Sequence, residues 1–252
     1  MSAMFGVVGA ARETYDPLAI PWHTLYYPNG VTFQAQGYTN NQVLNEGEPI
    51  PDETTSGNDQ TATSAAETTL TYVTSSNVNG RPAIRGADTA GDHPSYQVTL
   101  GGQLPADAGG YSLVCVWNQG AQTSSTYSTI FSESTGIQDN YTFLIKDDGS
   151  ILFSIAGTGY TPAVGLTSGT TYALRSYVTS ANATAHIDAT EVVNTGSGGD
   201  DLNSLALFMK SNTSWPFSGD LAFLGLYDGD VTADGEWSRF KTWADNRFGC
   251  TL

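Results

Sequence analysis

Residues 215–252 read WPFSGDLAFLGLYDGDVTADGEWSRFKTWADNRFGCTL, and this stretch carries the clearest secondary-structure signals in the chain. Side chains alternate between the two sides of an extended strand, so Leu221 and Phe223 are expected on one side, and Leu224 and Leu226 on the other. The second side begins polar at Asp220 and becomes apolar. This pattern predicts a strand that enters from solvent and ends covered on both faces.

A turn at residues 228–230 leads from this strand into the one helix that the pattern predicts. We expect Thr232 to cap the helix, Arg247 to lie favourably in its last turn and Gly249 to end it. At about 100° per residue, the apolar side chains fall on one side. They are Trp237, Phe240, Ala244 and Phe248, with Trp243 at the margin. Such a face predicts a helix packed on a sheet.

Charge and composition exclude several kinds of partner. The chain has 252 residues and a formal net charge of −16. No basic stripe is present to neutralise phosphates, so we expect neither nucleic acid nor an anionic membrane as a partner. No apolar run approaches the roughly 20 residues that span a bilayer. The N-terminus lacks a charged start before its short apolar run, so no signal peptide is predicted and synthesis in a cytoplasm is expected.

Local composition divides the chain into three segments. Residues 1–45 are aromatic and interrupted by prolines, which predicts an arm too broken for a long strand or helix. Residues 46–69 hold almost no large apolar side chain and are expected to form a surface loop with solvated carboxylates. Residues 70–252 are predicted to form the main β-domain.

The aromatic arm allows two interpretations. In the first, it packs on its own domain. In the second, it docks on a neighbouring subunit, and Trp22, His23, Tyr26 and Tyr27 are then the candidate partner contacts.

The fold class follows from the spacing of short apolar runs after Leu70. Such runs recur about every ten to fifteen residues with no helix between them, as in antiparallel sandwiches. We therefore predict an all-β protein, a two-sheet antiparallel jelly-roll sandwich with one C-terminal helix packed on it. Residues 146–150 predict a hairpin turn. Trp117 is expected in the core, and Cys115 and Cys250 as separate thiols.

The motifs of this region resemble those of a known superfamily. The strand and helix of residues 215–252 and the segment AHIDATEVV at residues 185–193 are similar to the laminin G-like jelly-roll domains of the concanavalin A-like lectin/glucanase superfamily. Ala189 stands where those domains usually have glycine. The matching positions are Phe217, Gly219, Leu221, Ala222, Tyr227, Asp228, Trp243, Arg247, Phe248 and Gly249. The resemblance covers about residues 70–249 and implies two curved antiparallel sheets, but no particular activity.

Catalytic and metal-binding patterns are weak. Glycosidases of this superfamily carry an E-x-D-x-x-E strand, and no such strand occurs here, so we predict no enzyme and name no catalytic residue. His186 and Asp188 are two apart, which predicts a surface hydrogen bond rather than half of a triad. No metal ligand or cofactor is predicted; a loose calcium site at Asp228 and Asp230 is the alternative. Trp215 is the aromatic side chain most expected to be exposed for a saccharide.

Two functions remain open from the sequence. The first is a non-catalytic virion structural protein of a tailed phage: a capsid decoration, head-fibre or tail-associated subunit. It would be an oligomer made in the host cytoplasm, contacting other virion proteins or copies of itself, and host surface glycans as well. The second is a carbohydrate-binding or adhesion module of a larger secreted protein, located outside the cell.

Overall fold

A computed structural model describes residues 15–45, 47–62, 70–87, 96–107, 109–121, 127–133, 141–155, 158–196, 198–208 and 217–252. These residues form two antiparallel sheets and two α-helices. The strands in chain order are β1 (Thr24–Tyr26), β2 (Gln42–Val43), β3 (Pro49–Ile50), β4 (Gln60–Ala62), β5 (Thr71–Val73), β6 (Ala83–Gly86), β7 (Tyr96–Leu104), β8 (Tyr111–Gln119), β9 (Tyr127–Ser132), β10 (Tyr141–Lys146), β11 (Ile151–Ile155), β12 (Thr158–Tyr160), β13 (Thr171–Val178), β14 (Ala183–Ile187), β15 (Thr190–Thr195), β16 (Leu202–Leu207) and β17 (Gly219–Asp228). The helices are α1 (Val31–Ala35) and α2 (Trp237–Phe248).

Two sheets stack to form the sandwich. The first sheet has the strand order β15-β14-β13-β8-β17-β6-β5-β2, and β1 also pairs with β17. The second has the order β12-β11-β10-β9-β16-β7-β4-β3. The strand pairings are antiparallel throughout the described residues. The predicted all-β sandwich with a C-terminal helix is confirmed.

The first sheet is apolar on both faces, and each face has its own core. All nine residues of β8 are buried. Leu113, Cys115 and Trp117 point into the core between the sheets, whereas Val114 and Val116 point into a second core under α2. The buried positions of Cys115 and Trp117 are as predicted, and both cysteines are free thiols. The molecule therefore has three layers: the second sheet, the first sheet, and an outer layer that contains α2.

A β-bulge changes the expected facing of β17. The pairing with β8 shifts register between Leu221 and Phe223, so one residue is skipped there. Leu221, Leu224 and Leu226 consequently share the inter-sheet core, while Phe223 faces the outer layer with Ala222. Strict alternation along this strand, which placed Leu221 beside Phe223, was wrong because the bulge reverses the side on which the following residues lie.

The helix α2 begins later than the sequence suggested. Asp230, not Thr232, supplies the cap: its Oδ1 accepts the Thr232 N–H at 2.9 Å and opens a short 3-10 turn, Val231–Ala233. The α-helix proper starts at Trp237 and ends at Gly249, which takes the left-handed conformation with φ 70°. The predicted apolar face of α2 is buried and Trp243 lies at its margin, as expected.

Two β-hairpins connect neighbouring strands of the sheets. The turn at residues 146–150 joins β10 to β11, as predicted. The segment AHIDATEVV forms the hairpin β14–β15. Asp188 stands at its turn with φ 51°, a left-handed conformation that Asp tolerates better than most side chains.

The described parts of the expected arm and loop contribute strands to both sheets. Strands β1 and β2 belong to the first sheet, and β3 and β4 to the second. Trp22 packs flat on β17 at Gly225, where an added Cβ would lie 2.7 Å from the indole. The described residues of 15–62 therefore belong to the same sandwich as the described residues of 70–252.

We predict that a chain starting at residue 46 does not fold. It loses the large side chains Ile20, Trp22, Leu25, Tyr26, Tyr27 and Phe33, all buried. Each contributes about 1.5–3 kcal/mol by burial, and their sum matches a typical net stability of about 5–15 kcal/mol. Circular dichroism and thermal melting of the truncated chain measure this. A cooperative melt within a few degrees of the full-length chain would contradict it.

Candidate functional site

The four predicted partner contacts lie within the fold of this chain. Trp22, Tyr26 and Tyr27 are 5%, 1% and 5% exposed. Trp22 and Tyr27 pack against Phe223, and the Tyr26 hydroxyl donates to the carbonyl of Asn58 at 2.6 Å. These three side chains hold the segment onto its own sheet, and a partner contact through this segment stays a prediction from the sequence. His23 is half-buried, with Nδ1 2.9 Å from the Thr24 hydroxyl.

Two of the carboxylates expected to be solvated are buried acceptors. Asp52 is 3% exposed and accepts the Leu25 and Thr54 N–H groups, each at 2.9 Å. Glu53 is 8% exposed, and its two oxygens accept the N–H groups of Thr32 and Phe33 at 2.8 and 2.7 Å. Both side chains thus satisfy backbone donors of the N-terminal segment.

A cleft of about 360 Å³ opens where this segment meets α2. We call it the outer cleft. Its walls include Tyr15, Leu18, Tyr27, Val31, Trp243 and Arg247. The volume lies near the lower end of the range of about 300–1,000 Å³ that is usual for small-molecule sites. The outer cleft therefore suits a small ligand.

Aromatic rings and one guanidinium group form the inner wall of the outer cleft. The ring centroids of Tyr15 and Tyr27 lie 5.8 and 5.9 Å from that of Trp243. The Arg247 guanidinium carbon is 5.7 Å from the Tyr27 ring centroid and 5.5 Å from the Trp243 ring centroid, within cation–π range. The backbone carbonyl of Arg247 accepts the Asn79 side-chain amide at 2.9 Å, which anchors the end of α2.

Two polar atoms on these side chains are buried without a hydrogen-bond partner among the described residues. They are the Tyr15 hydroxyl and Arg247 Nε. Burial and the nearby carboxylates of Glu236, Asp234 and Asp16 raise the pKa of Tyr15 to about 12, so its hydroxyl is neutral at pH 7. Both atoms carry a proton to donate, and an unsatisfied buried donor costs about 1–3 kcal/mol. The outer cleft is therefore short of acceptors.

The rim of the outer cleft is apolar. Three large hydrophobic side chains of the described residues are well exposed, and two of them, Leu18 and Val31, stand at this rim. Val31 is 84% exposed. An apolar rim around a few polar groups is the usual composition of a ligand site.

The predicted pairing of His186 with Asp188 does not form. The Asp188 carboxylate instead accepts the Ala173 N–H at 3.0 Å, and Glu191 on β15 is the acidic group nearest to His186, with 3.9 Å between Nε2 and Oε2. Desolvation and the charge of Arg175 lower the pKa of His186. The imidazole is therefore neutral at pH 7.

The acidic turn before α2 is used within the fold. Asp230 caps the 3-10 turn, and Asp234 accepts the Tyr227 hydroxyl at 3.2 Å. Within the described part of the chain, no three His, Cys, Asp or Glu side chains are grouped so that they could hold a metal ion.

No helix of the described residues is long and apolar enough to cross a membrane. Trp215 lies outside the described residues.

Two residues of the outer cleft were singled out in the sequence, but for their roles in the helix rather than in a site. Trp243 was placed at the margin of the apolar face of α2, and Arg247 was assigned to the helix end. The margin of an amphipathic face is where a helix meets a neighbouring layer or leaves a gap beside it. Which of the two occurs depends on the N-terminal segment, whose position the sequence did not give.

Comparisons with known proteins show the fold. No family model matches this sequence, and no curated protein matches it significantly. Domain 4 of AbnA, a GH43 extracellular arabinanase from Geobacillus stearothermophilus, solved in complex with arabinotriose, is similar in structure: the TM-score is 0.51 at 15% identity, over 88% of this chain and 98% of that chain.

Two larger enzymes contain a similar unit. An arabinofuranosidase complexed with arabinofuranosyl-alpha-1,2-xylobiose has a TM-score of 0.57 at 11% identity, over 79% of this chain and 50% of that chain. A mutant of Trypanosoma rangeli sialidase displaying trans-sialidase activity has a TM-score of 0.54 at 9% identity, over 88% and 32%. This chain thus spans half or less of each enzyme. At such identities the likeness shows a shared β-sandwich fold.

We predict that Gly30→Ala destabilises the wall of the outer cleft. A Cβ at Gly30 would overlap the Glu53 carboxyl group, which must then release the N–H groups of Thr32 and Phe33. The expected loss is about 1–3 kcal/mol, measured by chemical denaturation. Gly235→Ala is the matched control, because its Cβ would meet nothing within 4 Å. Equal effects of the two substitutions would show that Glu53 is not the cause.

We also predict that the folded state weakens between pH 10 and pH 12. The Tyr15 phenol keeps its proton to about pH 12 when folded, against an ordinary pKa of 10.0. In this window the unfolded chain binds fewer protons, so the free energy of unfolding falls as pH rises, and the full contribution is present only below pH 10. Denaturation across this range measures the slope, which Tyr15→Phe should reduce. A slope that is unchanged in the variant would contradict the role of Tyr15.

Proposed function

We propose that this protein is a non-catalytic carbohydrate-binding β-sandwich and that the outer cleft is its binding site. The observation that carries this proposal is the grouping of two partly exposed rings, Tyr15 and Trp243, with a charged donor, Arg247; the buried Tyr27 ring supports Trp243 at 5.9 Å. Aromatic rings offer apolar faces, and the polar groups at their edges fix orientation. Sugars present both C–H faces and hydroxyl groups, which such a wall can accommodate.

The structural neighbours support the same class of ligand. The arabinanase domain, which is matched over 98% of its length, was solved with arabinotriose. The arabinofuranosidase was solved with an arabinofuranosyl-xylobiose. Those sugars belong to those proteins. What they contribute here is that a sandwich of this shape is found in proteins that handle saccharides.

The carboxylates of the outer cleft favour binding over hydrolysis. Retaining glycosidases need two carboxyl groups about 5 Å apart that are free to act on the sugar. Glu53 lines the outer cleft, but its oxygens accept two backbone N–H groups. Asp16 also lines it and accepts the Leu18 N–H at 3.0 Å. Neither is placed as a general acid or nucleophile, so we propose a lectin-like role.

The virion role remains a prediction from the sequence. Its motivation was the Thr-, Ser-, Gly- and Asn-rich composition and the aromatic arm, and Trp22, Tyr26 and Tyr27 of that arm are buried in this fold. A virion subunit that binds host glycans would combine both proposals. Addition of the purified chain to phage particles, followed by sedimentation, tests it: co-sedimentation with capsids or tails supports the virion role, and a free monomer contradicts it.

We predict that Trp243→Ala weakens saccharide binding through the outer cleft. Loss of a stacking ring is expected to weaken binding at least tenfold on a glycan array and in calorimetry with the best saccharide. Trp237→Ala is the matched control, since Trp237 lies on the same helix, is 7% exposed and does not line the outer cleft.

Leu18→Asp provides a second variant at the rim, where the side chain is 43% exposed and its replacement should leave the fold intact. It should also weaken binding. If the Trp237 variant loses binding and the Trp243 and Leu18 variants keep it, the outer cleft is not the binding site.

A further inference from the structure

Resting on the proposed function, we infer that the outer cleft selects a saccharide that bears a carboxylate, such as a uronic acid or a nonulosonic acid, and that Arg247 is the residue that binds this group. The first observation concerns which positively charged side chains form ion pairs. Arg85, Arg239 and Lys241 each form an ion pair, with Asp220, Glu236 and Asp245 respectively.

Arg247 has no such pair within the described residues. Its guanidinium lies beside two aromatic rings, and its Nε is buried without an acceptor. The chain has a net charge of −16, yet none of the carboxylates in its described part forms an ion pair with this group. A guanidinium presents several N–H donors in one plane and matches a carboxylate with two parallel hydrogen bonds.

The second observation is that the two unsatisfied atoms require the same kind of partner. The Tyr15 hydroxyl and Arg247 Nε are both donors, and both belong to side chains that line the outer cleft. A ligand that is rich in acceptors therefore fits better than one that mainly donates. A carboxylate is an acceptor at each of its oxygens, and the ring and hydroxyl oxygens of a sugar supply more.

The third observation concerns the acidic groups of the outer cleft. Glu53 lines the outer cleft as well, but its two oxygens accept the N–H groups of Thr32 and Phe33 and it forms no ion pair with Arg247. Asp16 is exposed and accepts the Leu18 N–H. Both carboxylates thus accept backbone N–H groups. Arg247 is the one cation among the described residues that line the outer cleft.

Size and surface favour a saccharide over an acidic protein segment. The outer cleft holds about 360 Å³ and has an aromatic inner wall, which suits one or two sugar rings. A segment of acidic protein brings several carboxylates, whereas the outer cleft has a single cation among its described lining residues to receive them.

Two matched pairs of probes test the inference on the full chain. Trigalacturonic acid is compared with its fully methyl-esterified form, and sialyllactose with lactose, by isothermal titration calorimetry. At least one carboxylate-bearing probe should bind tenfold or more tightly than its neutral counterpart. Arg247→Met should remove that difference, so that the carboxylate-bearing probe binds no more tightly than its neutral counterpart. Arg247→Lys, which keeps the charge but lacks the planar donor pair, should give an intermediate preference.

Lys241→Met is the control for charge, since it removes a cation from the same helix outside the outer cleft. It should leave the preference intact. Equal binding of each pair, or a preference that survives in Arg247→Met, would overturn the inference while the proposed saccharide site stands. Binding of a hexa-aspartate peptide in place of both acidic saccharides would overturn it in favour of a protein-docking surface. If no saccharide binds at all, and none binds on an array, the proposed function fails as well.

Discussion

The structure depends on one constraint: its first sheet is apolar on both faces. Strand β8 is buried along its whole length and sends side chains into two different cores. Such a sheet needs a cover on each side, because exposed apolar area of this extent would drive association or unfolding. The second sheet covers one face. The other face is covered by two pieces, α2 and the N-terminal segment, which meet through Trp22 and Phe240 at a ring distance of 5.3 Å. The outer cleft is the space that these two pieces leave unfilled.

Local pattern was enough to predict the layers but not their connections. The 3.6-residue period of α2 is a property of a short stretch, and the predicted apolar face is the buried one, although the helix begins later than expected. The bulge at Ala222 is different, because it arises from pairing with β8 and β6, which are remote in sequence. The acidic residues Asp52 and Glu53 looked solvated for the same reason: the backbone N–H groups that they accept belong to another part of the chain.

The N-terminal segment shows a further limit. An aromatic, proline-interrupted stretch has the same composition whether it packs on its own domain or on a neighbour, so both interpretations stood open at Trp22 and Tyr27. The contacts decide between them for these residues: Trp22 lies over Gly225, and Tyr27 lies between Phe223 and Trp243. The acceptor deficit of the outer cleft was equally invisible, since whether Arg247 has a partner is a property of the assembled layers. The sequence shows that residue 247 is an arginine, whereas its lack of an ion-pair partner among the described residues is seen only in the folded structure.

The pairing of β1 with β17 joins the early part of the described chain to the late part, and this has a consequence for the order of folding. Contacts between residues so distant in sequence close slowly, because the chain entropy of a long loop is lost before the contact is gained. Neither the outer layer nor the outer cleft can exist until β17 and α2 have been synthesised and have docked. Local hairpins such as β10–β11 and β14–β15 do not depend on contacts between residues so distant in sequence. The outer layer and the outer cleft are thus completed later in folding than the local hairpins.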